Sequence, residues 1–231
     1  MGTAGELDTW GALERDVVAC SRCPRLVRWR ATASARGPRA GREAQSWARP
    51  VPGFGDENAR IVIFGLAPGA LGANRTGRPF TGDASSQFLY AALHRAGLAS
   101  AAVSLARDDG LKLRATRLTN VVRCVPPQNA PTRREFARCA SFTRRELALA
   151  SQVRVVVCLG AHAWREVLLT LQRMGHPSAG PTPRFAHGAS VNCGPLLVLA
   201  AFHPSPLNTR TGRLTPAMFD LVLRRALEEL R

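Results

Sequence analysis

The strongest constraint on this chain is a repeated alternation. A short apolar run stops at a breaker, and a stretch with helical spacing follows. Arg60-Ile-Val-Ile-Phe-Gly65 is the first run, and Leu118-Thr-Asn-Val-Val-Arg-Cys124, ended by Pro126-Pro127, is the second. Val153 to Leu159 is the third, apolar after Arg154, and Leu196 to Ala201 is the fourth. Runs this short and this apolar read as strands buried on both faces. Between them, Ala84 to Ala96 sets Phe88, Leu89, Ala92 and Leu93 on one helical face. Thr132 caps a helix running to about Leu149, with Glu135 completing a capping box. Ala161 to about Leu171 is a further helix, and Thr215 caps a last one, Pro216 to Leu230, with proline at its first position. Leu7 to Ala19 adds a helix ahead of the first strand. The expectation is an α/β fold: three layers, α/β/α, around a central, mostly parallel four-stranded sheet. A chain of 231 residues forms one such domain with a buried core, and no repeat or linker divides it, so 1–231 reads as a single domain. Arg25 to Arg49, Leu66 to Gly82 and 174–188 read as irregular or loop segments.

In such folds ligands sit at the carboxyl ends of the strands. Three unusual loops lie there: after Gly65, around Asn120 to Pro127, and after Phe202. Gly65-Leu-Ala-Pro-Gly69 offers backbone that a substrate can approach closely through Leu66, Ala67, Pro68 and Gly69. Asn74-Arg-Thr-Gly-Arg-Pro-Phe-Thr-Gly-Asp83 sets the ring of Phe80 in a glycine-rich frame, suited either to stacking a planar base or to anchoring the loop in the core. His203-Pro-Ser-Pro-Leu207 stiffens a short loop that presents an imidazole, Ser205 and the apolar Leu207 together, which suits wedging open a duplex; a lone histidine after a strand is also a common structural residue.

Charge narrows the partner. Lys plus Arg total 32 against 16 Asp plus Glu, a formal net charge of +16, and Lys112 is the only lysine. An excess of that size favours a polyanion, and arginine contacts phosphate bidentately. GC-rich codons also explain arginine over lysine, but not basic residues outnumbering acidic two to one. No apolar run is long enough to span a bilayer, and Met1 to Arg15 lacks the basic start and apolar core of a signal peptide. The expectation is a cytoplasmic monomer with no membrane role.

In a reducing compartment six cysteines suggest ligands or core packing. Cys20 and Cys23 form a CxxC pair; Cys124 and Cys139 flank the proline-rich turn. Four thiolates suit zinc or an iron–sulfur cluster, and the wide second spacing leans toward iron–sulfur, with core packing of Cys124 and Cys139 the alternative. Cys158 lies in a strand and reads as core. Cys193 receives no role.

Gly65-Leu-Ala-Pro-Gly-Ala, Gly77-Arg-Pro-Phe-Thr-Gly-Asp83, Asn120-Val-Val-Arg-Cys124 and His203-Pro-Ser-Pro-Leu207, in this order and with the four cysteines, resemble the uracil-DNA glycosylase superfamily. Within it they are most similar to family 5, the type B enzymes of thermophiles and actinobacteria. The resemblance runs from about Cys20 to the last helix. It implies a repair enzyme that flips uracil or another deaminated base out of DNA and hydrolyses the N-glycosidic bond. It implies a [4Fe–4S] cluster on Cys20, Cys23, Cys124 and Cys139. Phe80 would stack on the flipped base, Asn120 would read its edge, and His203 would stabilise negative charge on the departing base. Leu207 would fill the gap left in the stack, and the backbone from Leu66 to Gly69 would contact base or sugar, with Asn74 and Ser205 as further substrate-side residues. Several families place an acid or amide in the first loop to position water. Ala67 stands there and cannot, an absence that family 5 shares. Asp83 is then the candidate carboxylate, and a helix cap at Ala84 is its equal alternative. A wide base range including hypoxanthine and xanthine goes with family 5. Family 4, a zinc-stabilised nucleic-acid-binding protein, and an iron–sulfur redox protein are the competing readings.

Overall fold

The four apolar runs become four adjacent parallel strands. In a computed structural model, which describes residues 8–33 and 46–231, these are β2 (Ile61–Gly65), β3 (Thr116–Asn120), β4 (Val155–Leu159) and β6 (Leu196–Ala201). All four are fully buried along their length. Two short antiparallel strands extend the sheet at its edges, β1 (Phe54–Gly55) beside β3 and β5 (Ser190–Cys193) beside β6, so the order is β1-β3-β2-β4-β6-β5. The sheet therefore has six strands rather than the expected four. The sequence hid the two edges because β1 is too short to show a period and β5 carries polar, half-exposed residues, as edge strands commonly do.

Alternate residues of each strand point to opposite layers. Val62, Phe64, Val156, Cys158, Val198 and Ala200 face one core, completed by α2 (Pro24–Ala33), α5 (Arg133–Leu149) and α6 (Ala161–Arg173). Ile61, Ile63, Val155, Val157, Leu197 and Leu199 face the other, closed by α4 (Ala84–Arg95) and α8 (Pro216–Glu228). The α1 helix (Trp10–Ala19) packs Leu13 and Val17 on Phe142 of α5. Both expected caps form: Thr132 accepts from the Glu135 N–H at 3.3 Å while Glu135 accepts from Thr132 N–H at 2.7 Å, and Thr215 caps α8.

Three local expectations are corrected. Residues 24–33, expected to be irregular, form α2 with Leu26 and Ala33 buried; Arg25, Arg28 and Arg30 dilute its apolar seam. The second strand lies two residues earlier than the Leu118–Cys124 run suggested. Val121 and Val122 are apolar because they are buried, and their N–H groups bond Gly65 and Leu66 carbonyls as the chain leaves the sheet. The expected loops after β2 and β6 hold short helical turns, α3 (Ala73–Thr76) and α7 (Pro206–Arg210). Leu7 and residues 34–45 of the expected irregular stretch lie outside the described residues.

Candidate active site

The chain leaves β2 for β3 on one side and returns past it to β4 on the other, and a cavity of about 470 Å³ opens at the carboxyl ends of these strands. Parallel register sets Gly65 beside Asn120 at its floor. Leu66, Ala67, Pro68 and Gly69 form one wall; Phe80, Asp83, Asn120, His203 and Ser205 also line it. The three loops singled out in the sequence thus meet at one pocket.

Phe80 is 7% exposed and sits at φ 49°, a left-handed conformation unusual for an aromatic residue. Its loop is pinned behind the pocket. Buried Arg78 donates to Thr81 Oγ1 at 3.0 Å and Ser104 Oγ at 2.6 Å and pairs with Asp109, and Tyr90 donates to the Pro79 carbonyl. The strained ring is therefore held by its neighbours. Phe80 meets the His203 ring at 6.1 Å between centroids, tilted by 33°. Asn120 is 3% exposed, and its carboxamide takes no hydrogen bond among the described residues, so both its donor and acceptor face the cavity.

Gly65 owes its identity to these two side chains. A Cβ there would lie 2.5 Å from Asn120 Oδ1 and 2.5 Å from Phe80 Cζ. The sequence suggested that this glycine admits substrate to the backbone; instead it admits the ring and the amide. Its place at the end of a strand, level with Asn120, was the available signal.

His203 lies half-buried at the end of β6, next to Gly160, and Asn208 Nδ2 holds its carbonyl at 2.8 Å. Burial holds its pKa down, at about 4, so the imidazole is neutral at physiological pH. Asp83 forms the expected helix cap, and its carboxylate also lines the pocket. Oδ1 accepts from the Ser86 N–H at 2.9 Å in a capping box at the start of α4. Oδ2 packs against Gly69 and Gly72, where a Cβ would come within 2.9 and 2.2 Å of it, and the carboxylate lines the pocket. Burial raises its pKa, against the pull of the Ser86 and Ser85 N–H groups and of Arg75.

One expected contact lies elsewhere. Asn74 is fully buried behind the first loop; its Nδ2 donates to the Arg30 carbonyl at 3.1 Å and its own carbonyl accepts from Ala48. A polar residue in a glycine-rich loop resembles a substrate ligand, and here it ties the loop to α2. Leu207 stands on α7, 74% exposed, outside the pocket wall beside Ser205 and Pro206.

The four cysteines stand at the end of α1 (Cys20), before α2 (Cys23), after β3 (Cys124) and in α5 (Cys139). Cys23, Cys124 and Cys139 belong to one packed cluster, and the four thiols lie within electrostatic reach of one another. Arg30 Nη1 donates to Cys124 Sγ at 3.2 Å, Arg22 Nε to Cys20 Sγ at 3.3 Å, and the Arg123 backbone N–H to Cys139. Burial pushes the Cys124 thiol up to about 12, offset in part by Arg30. Among the described residues no group of three His, Cys, Asp or Glu converges to hold a single metal ion. Cys158 and Cys193 are buried in the same core layer, and the thiol that acts on Cys158 is Cys193 rather than any of the four.

Residues 52–227 match the family model described as the uracil DNA glycosylase superfamily. The chain belongs to the uracil-DNA glycosylase superfamily. Its type-5 members run alongside it nearly end to end. A type-5 uracil-DNA glycosylase of Thermus thermophilus is 51% identical over 93% of this chain and 95% of its own, and one of Mycobacterium leprae is 48% identical over 93% of each. A type-4 uracil-DNA glycosylase of Archaeoglobus fulgidus is 38% identical over 49% of each chain. Full-length similarity to the type-5 glycosylases, against half-length similarity to type 4, sets the family 4 alternative aside.

Proposed function

We propose that this protein excises uracil from DNA, cutting the N-glycosidic bond of a flipped nucleotide to leave an abasic site. The observation that carries the reading is the convergence of the Phe80 ring, the unpaired Asn120 carboxamide and the neutral His203 imidazole in one cavity. Phe80 stacks on the flipped base. Asn120 matches a uracil-like edge with one donor and one acceptor. As the bond from the sugar to the base nitrogen breaks, its electron pair leaves with the base, and a neutral His203 N–H hydrogen-bonds the oxygen that gathers this charge. Water then adds to the sugar cation, and the proton it loses passes to the departing base anion. Ala67 offers no group to activate that water, which favours a dissociative route. The pocket-facing carboxylate of Asp83 is suited to orienting the water or to balancing positive charge on the sugar.

Exposed Leu207 stands at the pocket rim as a wedge for the vacated stack, and exposed Arg210 and Arg213 follow it as phosphate contacts. The cavity and Ala67 leave room for other deaminated bases, hypoxanthine and xanthine among them. A DNA substrate puts that action where the chromosome is, in the cytoplasm, and the protein acts there as a monomer. No helix among the described residues is long and apolar enough to cross a membrane.

Cys20, Cys23, Cys124 and Cys139 are the residues that would hold a [4Fe–4S] cluster. The donor chemistry fits: four thiols gathered from four segments, with N–H groups aimed at three of the sulfurs and arginine charge beside them. Bound there, a cluster supplies a structural cross-link between these segments. The test is base release from a duplex containing one uracil, by protein purified without oxygen and assayed for iron and acid-labile sulfide. Abasic product from iron-bearing protein is the expected result. Product without iron overturns the cluster, and iron-bearing protein that binds DNA without releasing uracil overturns the catalytic assignment.

A further inference from the structure

Between β3 and α5 the chain passes through Pro126-Pro127-Gln128-Asn129, and Asn129 forms one lip of the base pocket. Gln128 and Asn129 both sit at φ 54°, in the left-handed region. Asparagine tolerates that region better than most residues and glutamine does not. Such strain persists only where the surroundings impose it. Here they do. Two prolines fix the approach, and Asn129 N–H bonds the Pro126 carbonyl at 3.3 Å. Arg25 of α2 donates to the Ala130 carbonyl at 2.9 Å and grips both carboxylate oxygens of Glu135, each at 2.9 Å. A turn held this firmly gives its side chains a fixed direction.

Asn129 is exposed, and its carboxamide takes no hydrogen bond among the described residues. The pocket thus carries two unpaired carboxamides at different depths, Asn120 on the floor and Asn129 at the lip. A one-ring base that reaches Asn120 and His203 leaves the outer part of the cavity unfilled. A two-ring base extends toward the lip. We infer that Asn129 is a specificity-determining residue: its carboxamide hydrogen-bonds the outer edge of a deaminated purine held in the pocket, and so sets how well the site accepts purines relative to uracil. This rests on the glycosylase reading above.

The test compares single-turnover release of uracil and of hypoxanthine from otherwise identical duplexes by wild type, Asn129→Gly and Gln128→Gly. Glycine keeps the left-handed turn without strain, so Asn129→Gly removes the carboxamide and spares the backbone. The expected result is about a tenfold loss of hypoxanthine release, the worth of one net hydrogen bond, with uracil release changed less than about twofold. Gln128→Gly should leave the ratio of the two rates unchanged. An Asn129→Gly protein with the wild-type ratio overturns the inference. So does a wild type that releases uracil but no hypoxanthine. A wild type that releases neither base overturns the glycosylase reading instead.

Discussion

Gly65→Ala is the smallest change that tests the pocket floor. The added Cβ would lie 2.5 Å from both Phe80 Cζ and Asn120 Oδ1. Comfortable carbon contacts begin near 3.5 Å, so the ring and the amide must each retreat by about 1 Å. Neither moves freely, since Phe80 is held by the Arg78-pinned loop and Asn120 ends a central strand. Overpacking of this kind costs about 1–3 kcal/mol, offset by about 0.4–1 kcal/mol from the stiffer unfolded chain, because Gly65 is not in the left-handed region. The net, about 0–3 kcal/mol, lowers Tm by up to roughly 10 °C in a domain of this size. Activity should suffer far more, because a misplacement of about 1 Å among positioning groups can cost about 100-fold in rate. Thermal unfolding by circular dichroism and single-turnover uracil release measure the two effects separately. A folded variant that cleaves within about threefold of wild type, less than 1 kcal/mol of barrier, would refute the claim that Phe80 and Asn120 hold the base.

The remaining predictions address individual charges. His203 has its folded pKa lowered to about 4, below an unfolded value of about 6.5, so the unfolded chain binds the extra proton first; its contribution to stability is present above pH 6.5 and is lost as pH falls toward 4. The same shift keeps kcat/KM flat from pH 5 to 8, above the folded pKa of about 4; a step centred near pH 6.5 that disappears in His203→Ala would contradict a neutral imidazole. His203→Ala itself should lower the single-turnover rate far more than DNA affinity by filter binding, and equal losses would sink its assignment. Asp83→Asn keeps a good cap while removing the carboxylate, whereas Asp83→Ala also loses about 1 kcal/mol of stability; an unchanged cleavage rate in Asp83→Asn would leave Asp83 a cap alone. Glu146→Gln leaves buried Arg117 and Arg123 without a counter-charge and should destabilise by about 3–5 kcal/mol in denaturant titration.

The four central strands, the capped helices and the three site loops were legible because each has a local cause: an apolar run, a capping residue, a glycine or proline at a strand end. What was not legible depends on distance in sequence. Asn74 has the composition of a ligand, but its partner is the Arg30 carbonyl in α2, which no local pattern reveals. Nothing local to Arg78 signals its burial, which follows from Thr81, Ser104 and Asp109 converging on it. Helix α2 was hidden by its arginines, two of which, Arg25 and Arg30, are spent on Glu135, Cys124 and the Cys20 carbonyl rather than on solvent. Asn129 sits where two prolines announced only a turn; its place on the pocket follows from how β3 and α5 meet.

Asn120, the residue proposed to read the base, is fixed from two directions. On the core side, Glu146 of α5 accepts from Arg117 and Thr119 on β3, at 2.7 and 2.9 Å, and from Arg123 just beyond it. This network brackets Asn120 in sequence and ties its strand to α5. A Cβ at Gly53 would strike the same carboxylate, so the β1 approach is fitted to it as well. On the outer side, Cys124 after β3 and Cys139 of α5 pack in one core cluster, and Arg30 bonds Cys124 from α2. The network lies within the protein's own side chains, so the strand end is held whether or not a group bridges the cysteines. Such a bridge would instead act on what lies between Cys124 and Cys139, the Pro126–Asn129 lip. The two restraints thus divide the pocket between them: buried ion pairs hold the floor at Asn120, and the cysteine segment carries the lip at Asn129.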